Sequence, residues 1–129
     1  MKGILPIRGQ DAHGSGEWGA SRGKRTHKGI DFAAMPNTKI TAIKAGIVTK
    51  IGYAYSDDLS WRYVQIEDSE GLEWRYFYIH PMVNIADKIE EGDVIGEVQD
   101  LTTRYKGITP HCHLGVKRNG IKINPELVM

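Results

Sequence analysis

Apolar and polar positions alternate along much of this chain, and turn formers interrupt the alternation at short intervals. The run "KITAIKAGIVTKIGY" (39–53) alternates well enough for two strands bent at Gly46. "WRYVQIED" (61–68) and "LEWRYFYIH" (72–80) are rich in aromatic and β-branched side chains, and they flank a turn at 69–71, which predicts a hairpin. "DVIGEVQ" (93–99) predicts a further strand, and "HCHLGVKRNGIKIN" (111–124) predicts a second hairpin. Its tip is Asn119-Gly120, a pair that accepts the positive φ of a two-residue turn. Helical period is scarce. The best helical candidate is the short "VNIADKIEEG" (83–92), and "INPELVM" closes the chain as one turn of helix. The pattern predicts an all-β domain of antiparallel strands, a small sandwich or barrel-like core.

Composition bounds the function. A chain of 129 residues makes a single domain spanning 1–129, and an apolar share of 40% supplies a real core. The 17 basic and 16 acidic residues leave a net charge of +1, which argues against nucleic-acid binding by phosphate neutralisation and against a membrane hold by charge. No apolar stretch approaches the roughly 20 residues of a membrane helix. "MKGILPIRGQ" is too short in apolar residues for a signal peptide, so the expectation is synthesis in a cytoplasm without a secretory route of its own. Cys112 is the sole cysteine, which excludes an internal disulfide and fits a reducing compartment. A domain cut from a larger protein would read the same way.

The candidate chemistry lies in five histidines: His13, His27, His80, His111 and His113. His27 stands four residues before Asp31, a spacing that brings the two together on a helix or on a strand. His80 ends the strand-like "RYFYIHP". His111 and His113 share a strand face with Cα atoms about 6.5 Å apart, and Cys112 points to the other face. Four histidines and one aspartate, with little sulfur, suit a zinc ion with three protein ligands and one open position. The imidazoles left over would handle protons. Spacing alone does not say which three are ligands. The plainer readings are a satisfied surface or core histidine, a turn aspartate at Asp31 and a small buried side chain at Cys112. His13 sits among turn formers, and "RGKR" (22–25) reads as a solvated loop. The aromatic residues read as packing, with Tyr55 and Trp61 set apart in the loop-like "YAYSDDLSW".

The joint order "HKGID" (27–31), "YIHP" (78–81) and "PHCHLGV" (110–116) resembles the lysostaphin/LytM-type zinc endopeptidases, which cut peptide bridges or stems of bacterial peptidoglycan. The resemblance runs through nearly the whole chain. It includes "AIKAGIVTKIG" and "DKIEEGDVIGEV", whose bend glycines give the cadence of hammerhead-like sheets, and a closing Asn-Pro in "INPELVM". It implies a LytM-like barrel-sandwich hybrid, a duplicated hybrid motif. It implies His27, Asp31 and His113 as zinc ligands, with His80 and His111 as the pair that transfers protons and stabilises the transition state. The chain departs from the family at Ser21, where some members carry a tyrosine, at Pro81, where leucine is common, and in the "YAYSDDLSW" loop.

The expected function is a zinc-dependent hydrolase acting on the bacterial cell wall. The leading setting is a bacteriophage endolysin or virion-associated lysin, made in the host cytoplasm and acting in the periplasm or carried in the virion. The D-Ala–diaminopimelate bond is the preferred target. The alternatives are a non-catalytic structural or regulatory module of the same fold, and a glucose-type phosphocarrier domain, which the His-x-His pair and the short length oppose. A lipoyl or biotinyl carrier fits less well, because the hairpin tip is Asn119-Gly120 and no lysine.

Overall fold

The computed structural model describes residues 6–9, 11, 13–22 and 25–129, with Arg25 through its backbone alone. Positions 1–5, 10 and 12 of the N-terminal stretch, and 23 and 24 of the basic run, lie outside the described residues. The strands are β1 (Ser21–Arg22), β2 (Arg25–Thr26), β3 (Ile30–Ala33), β4 (Lys39–Thr41), β5 (Gly46–Tyr53), β6 (Arg62–Glu67), β7 (Glu73–Phe77), β8 (Ile79–Pro81), β9 (Lys88–Ile89), β10 (Val94–Val98), β11 (His111–Arg118) and β12 (Ile121–Ile123). Among the described residues there is no α-helix, and no helix is long and apolar enough to cross a membrane.

One antiparallel sheet runs β12-β11-β7-β6-β5-β9, with β3 also paired to β11, and a second runs β4-β10-β8. Both sheets supply the apolar core. Trp74, Tyr76, Val64, Ile66 and Leu114 come from the first, and Ile40, Ile79, Ile95 and Val98 from the second. The expected antiparallel sandwich is therefore present. Strand β7 shows the alternation that builds it: Trp74 and Tyr76 are buried, while Glu73, Arg75 and Phe77 are only partly covered. The buried Tyr76 hydroxyl accepts the Ile43 amide at 3.0 Å, so its polar atom is satisfied.

The predicted turns form by local side-chain chemistry. Asp68 accepts the amides of Glu70 and Leu72 at 2.9 and 3.0 Å and the Trp74 indole at 2.9 Å, which closes the 69–71 turn onto the core. Asn119 and Gly120 take φ of 52° and 79°, as a two-residue hairpin tip demands. At the Gly46 bend, a Cβ would run into the Glu67 carbonyl.

Two expectations need correction. The 83–92 segment is not helical; it makes two turns and β9. Asp87 and Asp93 accept the amides of Asn84 and Glu90, both at 2.8 Å, and Ala86 has φ of 77°, so the aspartates close turns where a helix would have to continue. The run at 72–80 is not one strand. It breaks at Tyr78, with φ of 68°, and passes from the large sheet in β7 to the small sheet in β8. The closing "INPELVM" makes a 3-10 turn at Pro125–Leu127, with the Asn124 side chain capping the Glu126 amide at 3.1 Å.

Candidate metal centre

Strand β11 pairs with β3 so that His113 stands opposite Asp31 and Cys112 opposite Phe32. Residues directly opposite point to the same face. The register therefore sends Asp31 and His113 to one side, and it buries Cys112 and Phe32 in the core. His27 arrives from the segment between β2 and β3. Its backbone is pinned by bonds from its amide to the Ala20 carbonyl and from the Gly19 amide to its own carbonyl, both 2.8 Å. Gly29 lets the two strands approach: a Cβ there would lie 2.5 Å from His113 Cε1 and 2.6 Å from the Leu114 carbonyl.

The three side chains converge. His113 Nδ1 is 2.7 Å from Asp31 Oδ1, His27 Nε2 is 3.2 Å from the same oxygen, and the two nitrogens are 3.1 Å apart. One ligand atom from each lies within 4.8 Å of the others. The donor chemistry fits a metal ion. His27 Nδ1 faces the Glu17 carbonyl at 2.9 Å, so its proton belongs on Nδ1 and the lone pair of Nε2 points inward. Two nitrogens bound tetrahedrally to one zinc at ~2.05 Å would stand about 3.3 Å apart, close to the separation found.

His111 lies beside this group. Its Nδ1 donates to the Thr109 carbonyl at 2.8 Å, and its Nε2 stands 3.5 Å from Asp31 Oδ2. Burial pushes its pKa down, with Asp31 and the Thr109 carbonyl pulling the other way, so the imidazole is neutral near pH 7 with an open lone pair. Asp31 shows the opposite balance. Burial alone would raise its carboxyl, but the hydrogen bond from His113 and the closeness of His27 and His111 outweigh it and hold it well below the usual carboxylate range.

His27, Asp31, His111 and His113 line one cavity of about 440 Å³. His80 does not join them. It is exposed on β8 and lines a second cavity of about 420 Å³ with Trp61, Gln99 and Arg104. The break at Tyr78 is the reason: Tyr78 turns into the metal-site cavity, and His80 goes to the other. Arg104 lines the second cavity and stacks over the Tyr55 ring of the first at 3.6 Å, so the two share a wall. Tyr55 and Trp61, singled out in the loop, each line one of them. Ser21 is exposed on β1.

Two arginines escaped the sequence reading, and His13, set among turn formers there, reaches the same cavity. Buried Arg8 grips Asp31 Oδ2 through Nε and Nη2 at 3.1 and 3.0 Å. Arg22 stands 3.7 Å from the same oxygen. His13 lines the cavity with its Nε2 facing the Lys106 carbonyl at 2.8 Å. Only the fold brings Arg8 and Arg22 to Asp31, and the Arg22 position corrects the reading of "RGKR" as a solvated loop.

The model of peptidase family M23 matches residues 25–125. The chain is 32% identical over 108 residues to DD-carboxypeptidase/endopeptidase Mpg of Neisseria meningitidis, covering 81% of this chain and 23% of that protein. It is 30% identical over 105 residues to peptidoglycan DD-endopeptidase ShyC of Vibrio cholerae, again covering 81% and 23%. The chain thus spans about a quarter of the length of these curated relatives. In fold it is similar to the catalytic domain of the prophage-encoded M23 protein EnpA from Enterococcus faecalis, with a TM-score of 0.71, 21% identity and 95% of each chain covered. The matched family sets aside the phosphocarrier reading and implies a metal, and His27, Asp31 and His113 are a group that could hold one. The chain belongs to peptidase family M23, a family of metallopeptidases.

Proposed function

We propose that the protein is a zinc-dependent endopeptidase that hydrolyses peptide cross-links or stems of bacterial peptidoglycan. The observation that carries this is the convergence of His27 Nε2, His113 Nδ1 and Asp31 Oδ1 beside a neutral, oriented His111. The names of the two peptidoglycan-directed relatives point to the same substrate. The phage setting rests on the sequence reading alone.

His27, Asp31 and His113 would hold the ion. Two imidazoles and one carboxylate, with room for a fourth ligand, are a donor set that zinc takes readily. Bound there, zinc would polarise the scissile carbonyl and make water acidic near neutral pH. His111 is the base: its Nε2 takes a proton from the attacking water, while the Thr109 carbonyl keeps the ring in the tautomer that leaves Nε2 open. The water oxygen adds to the carbonyl carbon, the C–N bond breaks, and the departing amine takes a proton. His80, lining the adjoining cavity, is the candidate donor of that proton. Asp31 supplies one negative charge to the ion, and Arg8 holds its other oxygen.

The test pairs elemental analysis with hydrolysis of a cross-linked muropeptide dimer. Wild type should carry about one zinc per chain. His113→Ala should lose both metal and activity, whereas His111→Ala and His80→Ala should keep the zinc and lose turnover. A His113→Ala protein with its full zinc would sink the ligand assignment. Zinc binding in wild type without cleavage of any cross-linked substrate would favour the non-catalytic alternative.

A further inference from the structure

The metal-site cavity has a wall of tyrosines outside the ligand set. The hydroxyls of Tyr105 and Tyr55 are 2.6 Å apart, and those of Tyr55 and Tyr78 are 3.0 Å apart. Arg104 Nε reaches the Tyr105 hydroxyl at 3.2 Å, and the Arg104 guanidinium covers the Tyr55 ring. All three tyrosines line the cavity that holds His27, Asp31, His111 and His113.

Counting hydrogens gives this chain a direction. A guanidinium donates and never accepts. Arg104 therefore donates to the Tyr105 oxygen, and the single Tyr105 hydrogen goes on to Tyr55. Three hydroxyls carry three hydrogens but share only two links, so one hydrogen is left over on Tyr55 or Tyr78. Tyr55 accepts from Tyr105, and an accepted hydrogen bond polarises its own O–H onward along the chain. Its hydrogen therefore goes to Tyr78. The surplus hydrogen is then on Tyr78, for which the described residues provide no further acceptor. Tyr78 also meets His111 edge to face, with ring centroids 5.5 Å apart at 90°. Its strained backbone, with φ of 68°, is what turns it into this cavity.

We propose that the Tyr78 hydroxyl donates a hydrogen bond to the carbonyl oxygen of the scissile peptide as that oxygen gains negative charge. Arg104, Tyr105 and Tyr55 are positioning residues that orient this donor. The inference rests on the proposed endopeptidase reading. Burial pushes the Tyr78 hydroxyl up to about 12, so it stays protonated through the working range of pH. The donor is preorganised, and no water or side chain must rotate when the charge develops.

The experiment uses the zinc-loaded full chain with Tyr78→Phe and Tyr55→Phe. It reads kcat and KM on a cross-linked muropeptide dimer, zinc content, and binding of a phosphinate pseudopeptide that imitates the tetrahedral transition state. Tyr78→Phe should keep its zinc and its KM, lose about 100- to 1,000-fold in kcat, and weaken phosphinate binding in parallel. Tyr55→Phe should lose less in both, because Tyr78 keeps its hydrogen but not its orientation. Full kcat and full phosphinate affinity in Tyr78→Phe would overturn the proposal. An equal loss in Tyr55→Phe would overturn it too, by making Tyr55 the donor. If Tyr78→Phe loses zinc, Tyr55→Phe decides: unchanged phosphinate binding rejects the chain of donors, and a weakened one supports it. A wild type that cleaves no cross-linked substrate is a different result, which removes the endopeptidase reading itself.

Discussion

Asp31 divides its two carboxylate oxygens between opposite partners: Oδ1 faces His27 and His113, and Oδ2 is gripped by two nitrogens of Arg8. Arg8 also bonds the Gly14 carbonyl and Asp11, both at 2.8 Å, and Asp11 accepts the Thr109 amide at 2.8 Å. One ion-pair chain thus holds Asp31 and the loop that orients His111. Both Arg8 and Asp31 are nearly inaccessible, at 2% and 3% exposure. Removing one partner strands a buried charge.

Arg8→Met should therefore destabilise the metal-free protein by about 3–5 kcal/mol. It should also weaken zinc binding by about 10- to 100-fold, because Asp31 loses the group that orients it. Urea denaturation and a chelator competition measure the two effects. A variant with wild-type zinc affinity would show that Asp31 is held well enough by the histidines alone.

Gly29 offers a way to disturb the proposed metal site without changing any of its three side chains. A methyl group there would press on the His113 ring and the Leu114 carbonyl. Backbone on one side leaves little room to give, so the imidazole has to move. Gly29→Ala should fold but bind zinc at least about tenfold more weakly, since ligand orientation is worth that much. Unchanged zinc affinity in the same chelator competition would mean that His113 relocates without cost.

The fold was largely legible because its signals are local. Alternation marked the strands, Asn119-Gly120 marked the tip, and the β3 and β11 motifs carried Asp31 and His113 into cross-strand register. Two errors came from local signals that compete. The turn-forming aspartates at 87 and 93 overrode the helical period of 83–92. The break at Tyr78 looks like unbroken strand in sequence, and it sends His80 to the cavity next to the one that holds the other histidines. Arg8 was invisible for a different reason: its partner is 23 residues away, and only tertiary contact joins them.

Cys112 lies between His111 and His113 but faces the core, at 2% exposure. Burial pushes its thiol pKa up, so the nucleophilic thiolate is scarce. Native protein should react with a disulfide reagent only as fast as it opens, and quickly once unfolded in denaturant. Cys112→Ser should cost about 1–3 kcal/mol for a buried hydroxyl while keeping zinc and turnover. A folded but inactive serine variant would give the thiol a role in the chemistry.

Acid should unfold the metal-free protein in two stages. Burial depresses the His111 pKa below 6.5, so as pH falls through that value the unfolded chain takes up a proton that the folded chain declines. Asp31 is depressed below 3.8, in the same sense, so its contribution is present above that value and is lost as pH falls further. Asp11, lowered to about 2 by hydrogen bonds from Thr109 and His13 that overcome its burial, adds to the second stage. In each stage the folded state binds fewer protons, so stability rises with pH, by up to about 1.4 kcal/mol per pH unit for each group. Urea unfolding of metal-free protein at a series of pH values reads both stages. His111→Gln should abolish the loss that begins near 6.5 and leave the one below 3.8 intact. If the first loss persists in that variant, another histidine is responsible, and His111 is not the buried neutral base that the proposed hydrolysis requires.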